Sequence, residues 1–476
     1  MAKEIELKLL VRQTDFPQVA SLMEQLKATP QAVKRLENTY FDTPELHLNQ
    51  AKAALRLRFN ATSWVQTLKT SGITLGALSE RGEWEMPVPE GKLNLALFPE
   101  GLLNPDWQDQ LQAQFSTNFT RQTWIWTDTQ STPPTQVEIA ADLGKVTLPN
   151  KPNKHRQAQT AQDAICELEL ELKQGDPCLL FKLADQLAEK LILHPGVLSK
   201  AERGLRLIKG SQFIQAEQPA SFSAQMVSFT DLTHLAAQEV NGWLLAHENW
   251  SFNASEDELL TAQAALLRLY ALLVLAQRLC SEAGFYPAIK AVKKLINHFS
   301  PWVESCWQDK ALQKLALTGP DAEWRAQHLA YAARRSDYRR IWHKNWVGQA
   351  SLLIIKSLFT KQHLKACSKQ NKADYLLQQA IAKLGLPAHP LQVEIWLSRY
   401  PSLVRVELML QLVQPQAKEN LQLIKQMQDS LAVLSGYQQL LNLKDLTASL
   451  RSQVLAERQT LLLQLGRLSQ ALWVAA

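Results

Sequence analysis

The chain opens MAKEIELKLLVR, with Glu4, Glu6 and Lys8 at every second position between Ile5, Leu7 and Leu9. On a helix these charges would spread over about half the circumference; on a strand they share one face and the aliphatic residues take the other. The same alternation recurs in ALRLRF, where Arg56 and Arg58 oppose Leu55, Leu57 and Phe59, and in QTLKT, with Thr67 and Lys69. It continues through Arg81, Glu83 and Glu85 in ERGEWEM, Arg121 with Thr123, Glu138 and Asp142 in VEIAAD, and Glu167, Glu169 and Glu171 in ELELELK. Strands are predicted at 3–12, 35–42, 53–60, 63–70, 80–88, 121–128, 136–142, 145–148 and 164–173, and helices at 16–28, 177–193 and 199–208. The polar run 151–163 reads as a loop. So many sequential short strands predict an antiparallel barrel or sandwich.

Beyond about residue 220 the period changes. SEDELLTAQAALLRLYALLVLAQRL and NLQLIKQMQDSLAVLSGYQQLL repeat apolar residues at three and four, the pattern of buried helices. Ser255 and Glu258 have capping-box spacing. The predicted architecture is a two-domain α+β chain: a β barrel over 1–208, a linker over 209–222, and a bundle of roughly eight to ten helices over 223–476.

Charge adds a contrast between the halves. The chain carries 51 basic and 45 acidic residues, net +6, yet the first 210 residues hold 24 basic and 25 acidic ones. The positive excess lies in the helical half and is too dilute to identify a partner. Nucleic acid is not expected, since the strand-rich half is slightly acidic and contains no recognisable nucleic-acid module. The five cysteines lack metal-ligand spacing, no apolar leader follows Met1, and the apolar stretch 269–276 is short, which predicts a cytoplasmic protein with reduced thiols and no membrane segment.

Two barrels satisfy the strand pattern. Either the charged faces meet solvent, or the apolar faces pack beneath the helices and the charges line the lumen. A charged lumen must hold cations and anions in balance. Its inventory suits a metal–polyphosphate: Glu4, Glu6, Asp142, Glu167 and Glu169 offer oxygens to Mg²⁺ or Mn²⁺, and the Arg and Lys side chains suit phosphate.

Glu4-x-Glu6-x-Lys8, YFDT at 40–43, LRLR at 55–58, TLK at 67–69, VEIAAD, ELELELK and SKAERG at 199–204 resemble, in order, the CYTH superfamily of triphosphate tunnel metalloenzymes. The helical half resembles a CHAD domain, as in bacterial CYTH–CHAD inorganic triphosphatases. The resemblance implies an eight-stranded antiparallel tunnel that hydrolyses inorganic triphosphate to pyrophosphate and phosphate with Mg²⁺ or Mn²⁺. By motif it assigns Glu4, Glu6, Asp142, Glu167 and Glu169 to metal, and Lys8, Arg56, Arg58, Lys69, Arg81, Arg121 and Lys200 to phosphate. Glu4, Glu6, Lys8, Glu167 and Glu169 carry the catalytic assignment. Glu83, Glu85, Glu138, Glu171 and Arg203 are secondary candidates. The alternatives are a thiamine triphosphatase, a class IV-type adenylate cyclase, or a non-catalytic polyphosphate binder.

In the helical half the expected basic motif is reduced to Arg268 and Arg278, and Arg268 is read as a surface charge. Lys290, Lys293, Lys294, Arg335, Arg339 and His343 form later basic stripes that would be the place for polyphosphate. Every charged strand and Lys200 lie within 1–208, so that segment alone is expected to carry the activity. Oligomeric state is not encoded in these patterns.

Overall fold

The computed structural model describes residues 2–59, 63–70, 72–149, 162–210, 226–253, 255–335, 344–361, 371–387 and 392–474. It divides into two compact units, Met1–Ala216 with His343–Thr360, and Glu217–Trp342 with Lys361–Ala476.

The first unit is built on an antiparallel sheet of β1 (Ala2–Val11), β2 (Thr29–Asp42), β3 (Ala53–Phe59), β4 (Trp64–Thr70), β5 (Ile73–Leu75), β6 (Leu78–Val88), β7 (Gln112–Asp128), β8 (Thr135–Thr147), β9 (Gln162–Gln174) and β10 (Leu193–Pro195). The hydrogen-bonded order is β10-β1-β9-β8-β7-β2-β3-β4-β6-β5, and β1 also pairs with β6, Ala2 opposite Glu83 through Leu7 opposite Leu78. That pairing closes a ring of eight strands, with β5 and β10 appended. Closure removes the free edges that a charged outer strand would otherwise have to protect.

Of the two barrels, the one with outward apolar faces is observed. Leu7, Leu55, Leu57, Ile139, Leu168 and Leu170 are all buried. Leu55 and Leu68 pack with Leu48, Leu95 and Phe98 from the connecting segments, with Trp84 and Met86 against them. The helix α3 (Cys178–Ala188) buries Leu180, Phe181, Leu183, Ala184 and Leu187 and packs on β9. Covering the aliphatic faces outside leaves the opposite faces to line the interior.

Several elements differ from the sequence expectation. The 16–28 segment is a 3-10 turn at Phe16–Gln18 followed by α1 (Val19–Gln25), and a single turn of helix, α2, covers His47–Gln50. Strands 136–142 and 145–148 form one continuous β8; Leu143 and Lys145 interrupt the apolar alternation, but the ladder to β7 and β9 continues through them. The predicted helix 177–193 stops at Ala188, and Leu193–Pro195 becomes β10. The 151–161 part of the expected loop lies outside the described residues.

The inner surface is not charged throughout. At one end Leu36, Tyr40, Phe115, Phe119, Val146 and Ile165 form an apolar cluster against Ala201, Leu207 and Ile208 of α4 (Lys200–Lys209). Gly204 makes this approach possible, because a Cβ there would collide with the Phe115 ring. The helix therefore closes one end of the barrel and directs the charged interior toward the other.

The second unit is helical: α5 (Phe229–Asn253), α6 (Glu256–Leu279), α7 (Tyr286–Gln313), α8 (Gly319–Arg335), α10 (Ala373–Ala382), α11 (Val393–Leu397), α12 (Tyr400–Val413), α13 (Lys418–Leu441) and α14 (Ala448–Val474). The helix α9 (Asn345–Lys361) belongs to the first unit instead. Ser255 is the N-cap of α6 but makes no side-chain cap bond. By length and hydropathy α6 would be able to cross a membrane, because 269–276 is embedded in a longer apolar window; here its apolar residues pack between α5 and α7. Cys166, Cys178 and Cys306 are free, but Cys280 is disulfide-bonded, contrary to the expectation of reduced thiols throughout.

Candidate functional site

The barrel encloses a cavity of about 480 Å³ whose lining includes Glu4, Glu6, Lys8, Arg56, Arg58, Lys69, Glu83, Glu85, Arg121, Glu169, Glu171 and Lys200. Tyr40, Thr67, Ser79, Phe119, Lys173 and Ser199 also reach it. Seven cationic side chains face six carboxylates. A lumen so nearly neutral avoids the cost of burying like charges, yet it cannot by itself neutralise a polyanion.

The floor is set by α4. Ser199 caps this helix through a capping box with Glu202, which fixes Lys200 as its first residue. Lys200 Nζ lies 2.5 Å from Glu167, 2.7 Å from Asp142 and 2.8 Å from Glu169. One turn later Arg203 pairs with Glu167 at 2.9 Å and donates to the Ala164 carbonyl. Arg121 makes a two-pronged contact with Asp142, 2.7 Å in each arm, and also meets Glu169. Lys200 and Arg121 both stand over the Phe119 ring, 5.0 and 5.7 Å from its centre. Lys8 donates to the Leu198 carbonyl at 3.2 Å and lies 4.0 Å from Glu6.

The opposite wall is a ladder of alternating sign. Lys69 bridges Glu4 at 3.0 Å and Glu83 at 3.2 Å; Arg56 lies 3.5 Å from Glu83 and 3.7 Å from Glu85; Arg58 is 4.0 Å from Glu85 and donates to Asn38. The registers Arg56 opposite Thr67 and Lys69 opposite Glu83 stack these residues along adjacent strands. Arg56 Nε is buried without a hydrogen-bond partner. A buried guanidinium donor left open costs free energy unless an acceptor enters. Arg58, Glu85 and Arg121 continue into an adjoining space of about 280 Å³, which Lys34, Thr123 and Glu138 also line.

Burial pushes the Glu6 carboxyl up to about 7, and the neighbouring Glu169 charge adds to it. Burial would raise Glu169 too, but Lys200, Arg121 and Lys8 hold it well below the ordinary carboxylate range. Burial, then the neighbouring Arg56 and Arg121, lowers Arg58 to about 10. For Lys200 burial acts downward, and Asp142, Glu167 and Glu169 outweigh it, keeping the ammonium charged. These neighbours give Glu6 and Glu169 opposite protonation tendencies on adjacent strands.

The predicted residues thus divide. Glu4, Glu6, Glu169 and the secondary candidates Glu83, Glu85 and Glu171 border the cavity, as do the expected cations Lys8, Arg56, Arg58, Lys69, Arg121 and Lys200. Asp142 and Glu167 do not: both are wholly buried beneath Lys200. With Glu169 they offer oxygens within 4.8 Å of one another, a spacing that would suit a cation, but the Lys200 ammonium already sits among them. Arg203 is buried under the floor, and Glu138 faces the adjoining space. The side chain of Arg81 lies outside the described residues. Tyr40 is both core and cavity lining. Phe119 and Lys173 were missed, although strand parity places Phe119 with Arg121 and Lys173 with Glu171.

In the helical unit Lys290, Lys293 and Lys294 are on α7 and exposed, while the side chains of Arg335, Arg339 and His343 lie outside the described residues. Arg268 is not a free surface charge: it donates to the buried Glu239 at 2.7 Å.

Residues 2–205 match the CYTH domain model. The N-terminal barrel is a CYTH domain. An inorganic triphosphatase from Haemophilus influenzae is 31% identical over 220 residues, which covers 45% of this chain and 57% of the relative. The aligned region thus spans little more than half of that curated relative. Among solved structures, a Hippeastrum adenylyl cyclase candidate described as having a dominant triphosphatase activity is 18% identical, covering 41% of this chain and 92% of that one, with a TM-score of 0.30. The PH1012 protein of Pyrococcus horikoshii is 18% identical over 40% of this chain and 93% of its own, with a TM-score of 0.24.

Proposed function

We propose that the barrel is a metal-dependent hydrolase of inorganic triphosphate, giving pyrophosphate and phosphate. The observation that carries this reading is the set of Arg56, Arg58 and Lys69, with an unpartnered Arg56 donor, lining one cavity together with Glu4, Glu6 and Glu169. The cations bind and orient a chain of phosphates, and the carboxylates supply the hard oxygen donors that Mg²⁺ or Mn²⁺ prefers. When bound, such a metal neutralises phosphate charge and lowers the pKa of water. Glu4, Glu6, Glu169 and Glu171 fit it best, because they border the cavity whereas Asp142 and Glu167 are engaged by Lys200 and Arg203. Lys8, Arg56 and Lys200 hold the phosphate oxygens in line and stabilise the charge on the departing pyrophosphate. Burial and the Glu169 charge raise Glu6 while Lys200, Arg121 and Lys8 keep Glu169 ionised, so the two carboxylates bordering the cavity differ in their readiness to take the proton leaving the attacking water.

An inorganic substrate is favoured over an organic one. Among the described residues lining the cavity, Tyr40, Ala54, Phe119 and Ala201 supply the apolar surface; Tyr40 and Phe119 belong to the buried cluster, and Ala54 and Ala201 pack against it. That offers no open aromatic slot for a nucleobase or thiazolium. Phosphate release from tripolyphosphate, thiamine triphosphate, ATP and pyrophosphate, each with Mg²⁺ and with Mn²⁺, tests the reading. Tripolyphosphate is expected to be cleaved at least tenfold faster than the others; preference for thiamine triphosphate, or cyclic AMP from ATP, would replace the substrate and keep the tunnel. Metal-independent or absent turnover of every triphosphate would overturn it.

A further inference from the structure

The helix α9 lies 136 residues beyond α4 in sequence, yet it packs in the same compact unit. Its first turns rest on the end of α3 and on β10. Asn345 Nδ2 and Gln349 Nε2 both donate to the Ala188 carbonyl, at 2.7 and 3.1 Å, occupying an acceptor that the helix terminus leaves free. Further along, Lys356 pairs with Asp185 at 2.8 Å, and the Phe359 ring lies 5.4 Å from that of Phe181. Gly348 falls between the two amide side chains and meets β10 directly. A Cβ on it would overlap the Leu193 carbonyl oxygen and come within 2.8 Å of the carbonyl carbon. Any side chain at 348 must therefore displace helix or strand.

The other side of this strand serves the cavity. Leu193–Pro195 pairs with Leu9–Val11 of β1, and Gly196 N donates to the Lys8 carbonyl at 3.0 Å. Two residues on, the Leu198 carbonyl accepts from Lys8 Nζ. Ser199 then caps α4, and Lys200 enters the cavity floor. Residues 193–200 thus form a strap with Gly348 pressed on its outer end and two cavity cations fixed by its inner end. β10 is only three residues long, so its ladder to β1 alone gives it little rigidity.

We propose that Gly348 is a positioning residue for the site. Through it α9 lies flush on Leu193, fixes the strap, and so sets the Lys8 and Lys200 ammonium groups at the spacing a phosphate chain requires. The proposal rests on the reading of the cavity as a triphosphate site. A misplacement of about 1 Å in such groups costs about a hundredfold in rate. It also explains why a helix from the far half of the sequence is retained against this barrel.

The test is a double-mutant cycle in the full-length chain: wild type, Gly348→Ala, Lys200→Ala and the double variant, each checked by thermal melt. Affinity for tripolyphosphate is read by calorimetry without metal, and KM and kcat with Mg²⁺. Wild-type turnover tests the site reading separately. With that established, Gly348→Ala is expected to weaken tripolyphosphate binding at least tenfold in the wild-type background and about threefold or less once Lys200 is gone. A purely structural role would give equal losses in both backgrounds and overturns the proposal, as does unchanged affinity in folded Gly348→Ala. If that variant does not fold, Asn345→Ala combined with Gln349→Ala loosens the same contact without a clash. It is expected to weaken binding about three- to tenfold, and by less once Lys200 is gone and only Lys8 is left to misplace; unchanged affinity here also overturns the proposal.

Discussion

Lys200 Nζ stands 2.5 Å from Glu167 Oε1, and the Glu167 side chain is completely buried while Lys200 faces the cavity. Glu167 therefore acts below the site, holding Lys200 and Arg203 from beneath. Removing one partner of a buried pair typically costs about 3–5 kcal/mol, because the other charge remains without compensation. Glu167→Gln is expected to lower the melting temperature by on the order of 10 °C. The Mg²⁺ concentration for half-maximal activity should stay within about twofold of wild type. Glu4→Gln should do the reverse, raising the metal requirement with little change in melting. A Glu167→Gln protein with normal melting and a much higher metal requirement would make Glu167 a ligand.

Glu6 gives the pH dependence. Its folded-state pKa of about 7 lies above the ordinary 4.5, so between these values the folded chain binds more proton than the unfolded one. Stability of the metal-free protein from this group is therefore greatest at low pH and is lost as pH rises from about 4.5 through 7. Glu6→Gln removes that ionisation. With chelator present it should melt higher than wild type at pH 8, and the difference should vanish toward pH 4.5. A lower melting temperature at pH 8 would show that Lys8 and Lys69 stabilise the ionised form more than burial opposes it. Because Glu6 must ionise to ligate a cation, metal binding near pH 6 should release about one proton, measurable by calorimetry in two buffers.

The alternation of Glu4, Glu6 and Lys8 was enough to place a charged face on β1, and the parity of Arg56 with Arg58 did the same on β3. Period alone does not say which face is inside. The apolar cover that decides it, Leu95, Phe98 and α3, comes from segments distant from these strands. Parity also cannot report depth: Glu167 and Glu169 look equivalent in ELELELK, yet α4 crosses above Glu167 and leaves Glu169 at the cavity. The long start of β7 lacks the charged alternation that marks the other strands: Phe115, Thr117 and Phe119 are buried and alternate with Ser116, Asn118 and Thr120, and a charge enters the inner face only at Arg121. The same limit hid α9, whose apolar pattern specifies a buried helix but not the surface that buries it.

Arg56 and Arg268 offer a contrast between site and scaffold. Arg56 lines the cavity with Nε unpartnered, so Arg56→Ala removes a charge-assisted phosphate contact worth about 2–4 kcal/mol. That is roughly a thirty- to thousandfold loss in kcat/KM. Arg268→Ala instead strands the buried Glu239 carboxylate, which burial already pushes upward and Arg268 pulls down. It should melt lower while retaining wild-type KM for tripolyphosphate. Steady-state kinetics with melts on both variants distinguishes them; equal kinetic loss in the two would remove the distinction between cavity and scaffold.

Truncation after residue 208 keeps every strand of the barrel, Lys200 and the whole charged lumen, and on those grounds it should be active. The structure points the other way. Such a fragment lacks α9, which buries Val347, Gly348, Leu352, Ile354, Ile355 and Leu358 and contacts α3 and β10 through Asn345, Gly348, Gln349 and Phe359. Its loss uncovers the Phe181 ring and leaves the Ala188 carbonyl to water, and each buried large apolar side chain is worth about 1.5–3 kcal/mol. A domain whose total stability is about 5–15 kcal/mol loses a large share of it. The expected result is a fragment that melts well below the full chain, self-associates through the uncovered α3 face, and cleaves tripolyphosphate at least tenfold less efficiently. Size-exclusion chromatography, circular-dichroism melts and kinetics on the 1–208 fragment beside the full-length protein measure all three. A monomeric fragment with the melting temperature and KM of the intact chain would show that the barrel needs no support from α9.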